Sequence, residues 1–405
     1  MDSSLFVKDT LRPFLKIFGN LRFSGYIQSQ FQAIGANGAS SYGGGDFDPD
    51  AKTRFMLRRA RMKMDYLSLT REGKPKALFT FQVDATERTV RVRDMFVRLY
   101  ETKKGRFALT SGIFAKPFGY EVNLSSAFRE TPERGRMSQI LIPSERDLGI
   151  MLSMDPREQK PEKWRVHADL GVFNGPGLSA PTDFDNFKDL AGRLTVVFPQ
   201  KNRHQLFAGI SWMRGGWKQV SPITNQVGVN GTGKLDFITD SSSANIGKAA
   251  PRHYYGADLQ WIIDHGWGNT EIRGEYWIGQ QPGTASTTAN PGELPQGPTF
   301  HRRFDGGFFY LLQDLGKPNH QFVIKYDWYD PNIRISGSEI GQPGTRFTSA
   351  DIRFGTLGLG YLYRFNENLK STLYYEIVNN ELTQLPEYKN DVPDNLLTIR
   401  MQFRF

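Results

Sequence analysis

One stretch of sequence decides the fold, Leu397-Thr-Ile-Arg-Met-Gln-Phe-Arg-Phe405. Apolar side chains occupy every second position of this stretch, and the positions between them carry Thr398, Arg400, Gln402 and Arg404. Because successive side chains of a β-strand point to opposite faces, the alternation predicts a strand with one apolar and one polar, charged face. A tilted strand of about 9 to 11 residues is long enough to cross a membrane.

The same alternation recurs along nearly the whole chain. It predicts sixteen strands, at residues 21–33, 55–69, 76–84, 90–100, 106–113, 147–154, 164–174, 189–198, 204–214, 253–263, 269–279, 302–313, 320–330, 352–365, 369–379 and 395–405. Short polar turns such as 71–75 alternate with long Gly- and Ser-rich loops such as 215–251. Barrels of bacterial outer membranes have such connections, with short periplasmic turns and longer loops outside.

We therefore predict an all-β fold, a transmembrane antiparallel β-barrel of 16 strands with short periplasmic turns and long extracellular loops, in the bacterial outer membrane. Aromatic side chains near the strand ends suit the depth of the lipid headgroups, and they are Tyr100, Trp164, Trp212, Trp261, Tyr363 and Phe365. The alternative is a soluble β-protein with one buried face. It would leave the strand-borne Arg and Lys side chains in solvent, with no helices to cover the sheet.

The composition of the 405 residues argues against several other classes. No uncharged apolar run approaches about 18 residues, which argues against a protein that crosses the membrane with helices. With no Cys and only six His, thiolate sites are excluded and metal chemistry is not expected, so we predict no metal and no cofactor. The net charge of +9 favours anionic partners without saying which.

Catalysis and nucleic-acid binding are not expected. His167 and Asp169 share one face of a predicted strand, about 7 Å apart, but no serine stands at a matching spacing. The cations alternate with lipid-type residues and lack the exposed aromatic platform on which single-stranded nucleic acids stack. We therefore predict that the chain is not an enzyme and has no nucleic-acid partner.

The strongest candidate site is a basic row on the second predicted strand. Five cations and no acid stand between Arg54 and Lys63. Arg59, Arg61 and Lys63 share one parity and are about 7 Å apart, so we expect them to line the lumen. Such a row passes an anion along several weak sites, and guanidinium groups suit phosphate because they are planar and bidentate. Rows of this kind also brace porin walls, so a structural role stays open.

Two further cations share the lumen parity and extend the row, Arg22 on the preceding strand and Arg98 on a later one. One discord remains, because Phe55 and Leu57 also fall on the lumen parity. The pattern therefore requires either a β-bulge near Arg58–Arg59 or a strand that starts above the membrane.

Four segments resemble the phosphate-selective porins O and P of the outer membrane, in the divergent form of Bacteroidetes-type bacteria. The segments are Phe55-Met-Leu-Arg-Arg-Ala-Arg61, Asp94-Met-Phe-Val97, Gly112-Ile-Phe-Ala-Lys-Pro-Phe-Gly119 followed by Glu121, and Glu145-Arg-Asp-Leu-Gly149. The resemblance covers nearly the whole chain from Leu21 onward, and the strand ending in Phe405 is similar to the signal read by the outer-membrane assembly machinery. It implies a trimeric barrel whose third long loop folds inward and whose lumen selects anions with Arg and Lys.

The segment 113–146 is the predicted constriction loop. It adds Lys116, Arg129 and Arg136 to the candidate anion-binding residues. Its basic and acidic residues are nearly balanced, because it also carries Glu121, Glu130, Glu133 and Glu145. Strong anion selectivity is therefore not expected from this loop alone.

The predicted organisation is an N-terminal periplasmic segment at residues 1–20 and a single barrel domain at 21–405. Residues 1–16 show no apolar stretch of signal-peptide length before a small-residue cleavage site, which leaves open whether an export signal was removed. The predicted function is an outer-membrane porin for small hydrophilic solutes, with anion preference. Its expected partners are the lipid bilayer, lipopolysaccharide, small anions and two further copies of the chain. The alternative is a structural or accessory barrel with a closed pore, held with other outer-membrane subunits.

Overall fold

The computed structural model describes residues 19–157 and 163–405 of the chain. In these two ranges no helix combines the length and the apolar character needed to cross a membrane. All but the last two positions of the predicted N-terminal segment 1–20 lie outside the described residues.

The described residues form eighteen strands, numbered here in chain order. They are β1 (Leu21–Ile34), β2 (Thr53–Leu69), β3 (Pro75–Ala85), β4 (Val90–Tyr100), β5 (Phe107–Ala115), β6 (Arg146–Met154), β7 (Arg165–Phe173), β8 (Asp189–Val197), β9 (His204–Lys218), β10 (Thr224–Val229), β11 (Leu235–Asp240), β12 (Ala249–His265), β13 (Gly268–Gly283), β14 (Thr299–Leu315), β15 (Lys317–Asp330), β16 (Phe354–Arg364), β17 (Leu369–Asn380) and β18 (Leu396–Arg404). One α-helix occurs within the described ranges, α1 (Arg136–Leu141).

Sixteen of these strands close into an antiparallel barrel, which confirms the predicted fold and strand number. Each pairs with its neighbours along the chain, except that β9 pairs with β12 and so bypasses β10 and β11. The ring closes where β1 pairs with β18, from Tyr26 opposite Arg404 to Ile34 opposite Leu396. Closure leaves no unpaired sheet edge around the ring, which is what a sheet in lipid requires.

The two faces of the strands separate as the alternation predicts. On β18, Ile399 and Phe403 are exposed on the outer face, whereas Arg400 and Gln402 are buried on the inner face. Exposed apolar side chains recur around the whole ring, so the outer face is the lipid-facing one. Tyr100 is an exception to the predicted aromatic belt. It shares the inner parity of Asp94 on β4, and its ring contacts the guanidinium of Arg98.

A β-bulge at Arg58 resolves the discord on β2. Gln28 of β1 pairs with Arg59, and the next residue of β1, Ser29, pairs with Leu57, so Arg58 has no partner in the register. The extra residue restores Phe55 to the outer face, where 84% of it is exposed. It also lets two consecutive arginines point inward, which a regular strand does not allow.

The strands β10 and β11 form a hairpin that the prediction missed, inside the stretch 215–251 treated as loop. The segment has a hairpin signal, because a five-residue connection with two glycines, 230–234, separates two alternating segments. The hairpin lies at the loop end of the barrel and pairs in parallel with the start of β14, Thr224 opposite Thr299. Its apolar side chains join those of β14 and of the loop between β15 and β16 in one buried cluster, made of Val227, Phe237, Phe300, Ile340, Phe347 and Ile352.

Candidate functional site

The connection between β5 and β6, residues 116–145, folds into the barrel and is called the inner loop below. Its backbone turns inward at Gly119, which has a φ of +71°. A Cβ at this position would lie 2.7 Å from both the Glu275 carboxylate and the Trp277 ring, so the turn requires glycine. The Glu275 carboxylate accepts hydrogen bonds from the backbone N–H groups of Tyr120 (2.6 Å) and Glu121 (3.0 Å).

The middle of the inner loop is fixed by a cluster of charges that we call the clamp, made of Glu133, Arg58, Arg59 and Arg400. Arg58 donates to both carboxylate oxygens of Glu133, at 2.9 and 3.1 Å. Arg59 does the same at 2.9 and 2.6 Å, and Arg400 donates at 2.9 Å. One loop carboxylate therefore binds three arginines of the wall. Two of these, Arg58 and Arg59, are the consecutive arginines that the bulge turns inward.

The clamp is a buried ion cluster. Burial alone would raise the pKa of Glu133. The positive charges of Arg58, Arg59 and Arg400 together outweigh this effect, so the pKa lies well below its ordinary value. The carboxylate thus stays ionised at neutral pH. Removal of one partner from a buried ion pair leaves an uncompensated charge, which destabilises a fold far more than loss of a surface pair.

Two further glutamates attach the inner loop to another part of the wall, on β13 and β15. Glu121 accepts a hydrogen bond from Lys325 Nζ on β15 at 2.9 Å. Glu130 accepts two from the guanidinium of Arg273 on β13, at 2.7 and 3.0 Å. The nearly balanced charge of the loop therefore has a structural explanation, because its acidic residues pair with wall cations.

Three of the candidate residues lie on the inner loop and are buried or half-buried. Lys116 Nζ lies 2.9 Å from Asp147 and 2.8 Å from Asp189. Arg129 is buried and donates to the backbone oxygen of Leu124 at 3.1 Å. The last of the three is Arg136, the first residue of α1, and its guanidinium lies over the ring of Phe354.

That arginine, Arg136, lies 3.7 Å from the centroid of Phe354 and 3.8 Å from the carboxylate of Asp394. Together with Arg59 of the clamp, half of the candidate residues thus bind protein groups. The other half line a cavity.

The cavity lies inside the barrel at the turn end, has a volume of about 820 Å³, and is called the vestibule below. Its basic lining residues are Arg22, Arg61, Lys63, Arg98, Arg146 and Arg404. Its acidic lining residues are Asp65, Asp94 and Glu367. With six basic and three acidic side chains, the wall of the vestibule carries an excess of positive charge.

Four candidate residues line the vestibule, and three of them have a carboxylate neighbour. Arg61 lies 3.0 Å from Asp84, Lys63 lies 2.8 Å from Asp65, and Arg98 lies 3.3 Å from Asp155. The remaining one, Arg22, is exposed. No carboxylate of the described residues approaches its guanidinium within 4.0 Å.

The candidate set lacked four residues of the clamp and the vestibule wall, which are Glu133, Arg400, Arg404 and Phe128. Glu133 and Arg400 of the clamp are 267 residues apart in the sequence, and only the path of the inner loop brings them together. Arg404 had a usable signal, because it shares the polar parity of β18 with Arg400. Phe128 had no such signal, since an isolated aromatic residue in a loop belongs to no periodic sequence pattern.

The pair His167 and Asp169 has a third polar neighbour that the sequence did not reveal. His167 Nε2 lies 2.8 Å from Asp169, and the hydroxyl of Ser153 on β6 donates to the other oxygen of the same carboxylate at 2.6 Å. The serine thus bonds the carboxylate and not the imidazole. A hydrolase requires the nucleophile to contact its base, so this order does not fit acyl transfer.

A closed sixteen-stranded barrel with an apolar outer face and a charged interior defines a bacterial outer-membrane β-barrel. Neither a protein family nor a curated protein matches the sequence. Solved structures do match over nearly the whole chain. The outer membrane channel DcaP of Acinetobacter baumannii has a TM-score of 0.54 at 10% identity, covering 95% of this chain and 97% of that one.

OmpT, an outer membrane protein of Vibrio cholerae, is similar as well. Its variant lacking loop L8 has a TM-score of 0.52 at 11% identity, with 95% of this chain and 99% of that one covered. Its trimer form has a TM-score of 0.50 at 10% identity, with the same coverage. At these identities the likeness shows the fold.

Proposed function

We propose that the chain is an outer-membrane porin through which small hydrophilic solutes diffuse, with a preference for anions. The observation that carries the proposal is the vestibule, a cavity inside the barrel with a cationic excess on its wall. Such a wall raises the local concentration of anions and repels cations. Conduction also needs several weak sites in place of one deep site, and the mixed lining of cations with acidic neighbours supplies weak sites.

The known structures of this fold are in keeping with the proposal. DcaP is described as an outer membrane channel, and OmpT has a trimer form. We extend both properties to this chain as part of the proposal, so that it forms a homotrimer in contact with lipid and lipopolysaccharide. The chain acts as a passive pore and not as an enzyme.

Reversal potentials across planar bilayers test the proposal directly. With purified protein and a KCl gradient, we expect a potential whose sign shows that chloride is more permeant than potassium. A cation-selective potential would contradict the anion preference. Absence of any conductance from inserted protein would contradict the pore itself.

A second candidate function is favoured by one observation, the burial of every residue from Arg129 to Gly135 deep in the barrel. A loop packed this closely suits a barrel with a closed pore that serves as a structural subunit of a larger outer-membrane assembly. Purification in mild detergent distinguishes the two functions. A foreign subunit at fixed stoichiometry, together with silent bilayers, would favour the structural role, whereas a conducting homotrimer favours the porin.

A further inference from the structure

The vestibule also contains a set of apolar side chains that a pore for inorganic ions does not need. From its chemistry we propose that the vestibule is a binding site for a small organic anion with an aromatic or similarly apolar body. The ring would lie against Phe128, and the anionic group would face the arginines beside it. This inference deepens the proposed function, on which it rests for the transport of such an anion.

Phe128 is the first part of the argument. It is 60% exposed and lines the vestibule, whereas Ala127 and Arg129 on either side of it are buried. The backbone around it is fixed on both sides. Gln402 donates to the oxygen of Ala127 at 3.0 Å, and Lys370 donates to the oxygens of Ala127 and Arg129 at 3.1 and 3.0 Å. The ring therefore projects into the vestibule from a backbone that three wall hydrogen bonds hold in place.

The apolar surface continues beyond this ring. Phe96, Phe114 and Met151 line the same cavity, and the rings of Phe96 and Phe114 contact each other edge to face with centroids 6.0 Å apart. A cavity of about 820 Å³ accommodates a molecule of ordinary metabolite size. Such pockets bind an apolar body by excluding water and orient it with a few polar groups.

The cations stand beside the rings. The guanidinium of Arg404 lies 5.2 Å from the centroid of Phe128, and its Nη2 donates to the backbone oxygen of Glu367 at 2.9 Å. This contact leaves the other donors of the guanidinium for a ligand, because a guanidinium has five N–H groups. A carboxylate takes two such donors in a bidentate pair.

The rings discriminate between classes of anion. Inorganic phosphate and chloride have no apolar surface to bury, and contact with a phenyl ring removes water from them without a compensating hydrogen bond. An aromatic carboxylate buries its ring and keeps its charge on the arginine. The vestibule therefore favours the organic anion over an inorganic one of equal charge.

Calorimetric titration of the detergent-solubilised full chain tests the site, with benzoate, acetate and inorganic phosphate as probes. We expect benzoate to bind about tenfold more tightly than acetate, since burial of its ring against Phe128 is the added interaction. We expect Phe128→Ala to remove this advantage and to leave the affinity for acetate unchanged. We expect Arg404→Gln to weaken the binding of both benzoate and acetate. Phe55→Ala is the matched control, because Phe55 is also an exposed phenylalanine but lies on the outer face, and we expect benzoate binding to stay as in the wild type.

The outcomes separate cleanly. Benzoate binding no tighter than acetate or phosphate binding would overturn the proposal, as would equal losses in Phe128→Ala and Phe55→Ala. If Phe128→Ala does not fold, Phe128→Leu keeps the apolar contact without the ring, and we expect a partial loss. Because the titration needs no conduction, a silent barrel that binds benzoate through Phe128 would refute the pore and keep the site.

Discussion

Two regions of the barrel interior use the same kind of side chain for different ends. In the clamp, Arg58 and Arg59 are bound to Glu133 of the inner loop. Arg61 and Lys63, a few residues further along the same strand, line the vestibule. The strand presents one continuous basic row, and the position of the inner loop divides it. The inner loop supplies the carboxylate that binds the clamp cations. Arg61 and Lys63 instead pair with wall carboxylates, at 3.0 and 2.8 Å, and line the cavity.

The difference should appear as a division between stability and selectivity. A buried charge that loses its partner destabilises a protein strongly, whereas an exposed pair contributes little. Substitutions in the clamp therefore act mainly on unfolding. Substitutions in the vestibule act mainly on the field that permeating ions experience.

Glu133→Gln is the largest test of this division. The substitution keeps the shape of the side chain but leaves three arginines without their carboxylate, so we expect a loss of about 3–5 kcal/mol in the free energy of unfolding. Urea titration of the folded barrel, followed by tryptophan fluorescence, measures it. Glu130→Gln is the matched control on the same loop, because Arg273 keeps a second carboxylate, Glu271, at 2.5 Å. Equal losses in the two variants would contradict the clamp.

Arg59→Ala sharpens the comparison from the wall side. Glu133 keeps Arg58 and Arg400 after this change, so we expect a smaller loss of about 1.5–3 kcal/mol, the range for hydrogen bonds to charged groups. The ratio of anion to cation permeability should change little, since Arg59 is buried against the inner loop and does not line the vestibule. A large fall in that ratio without a change in stability would show that Arg59 serves permeation.

For the double variant Arg22→Gln with Arg404→Gln we expect the opposite result, a change in ion selectivity with little change in stability. Both side chains line the vestibule, and no carboxylate of the described residues lies within 4.0 Å of either guanidinium. We expect stability to change by no more than about 0.5 kcal/mol, the range for surface substitutions. The reversal potential should move toward zero, because two positive charges leave the wall. An unchanged reversal potential would show that the ions do not pass through the vestibule.

The fold could be read from the sequence because strand alternation is a local signal. The same parity argument left two possibilities, a bulge near Arg58–Arg59 or a strand that starts above the membrane, and the structure has the bulge. The clamp could not be read in this way. Arg59 and Glu133 are 74 residues apart, and their contact depends on how the inner loop crosses the barrel. Parity shows which side chains point inward, but it does not show which of them meet a carboxylate there.

The smallest expected effect concerns pH and a loop carboxylate outside the spanning strands. Burial raises the pKa of Asp394 to about 6, although the charge of Arg136 opposes the shift. Between pH 3.8, the ordinary pKa, and about pH 6, Asp394 is therefore protonated in the folded state and ionised in the unfolded state. Stability should fall slightly as the pH rises through 6, by the linkage between proton binding and folding.

Glu133 adds nothing in this interval, because its pKa lies well below its ordinary value and its stabilising effect is lost only in stronger acid. The unfolding midpoint of the wild type minus that of Asp394→Asn, measured at pH 5, 6 and 7, isolates the contribution of Asp394. We expect this difference to decrease from pH 5 to pH 7. A constant difference would mean that Asp394 titrates as an exposed carboxylate and that its contact with Arg136 does not bury it.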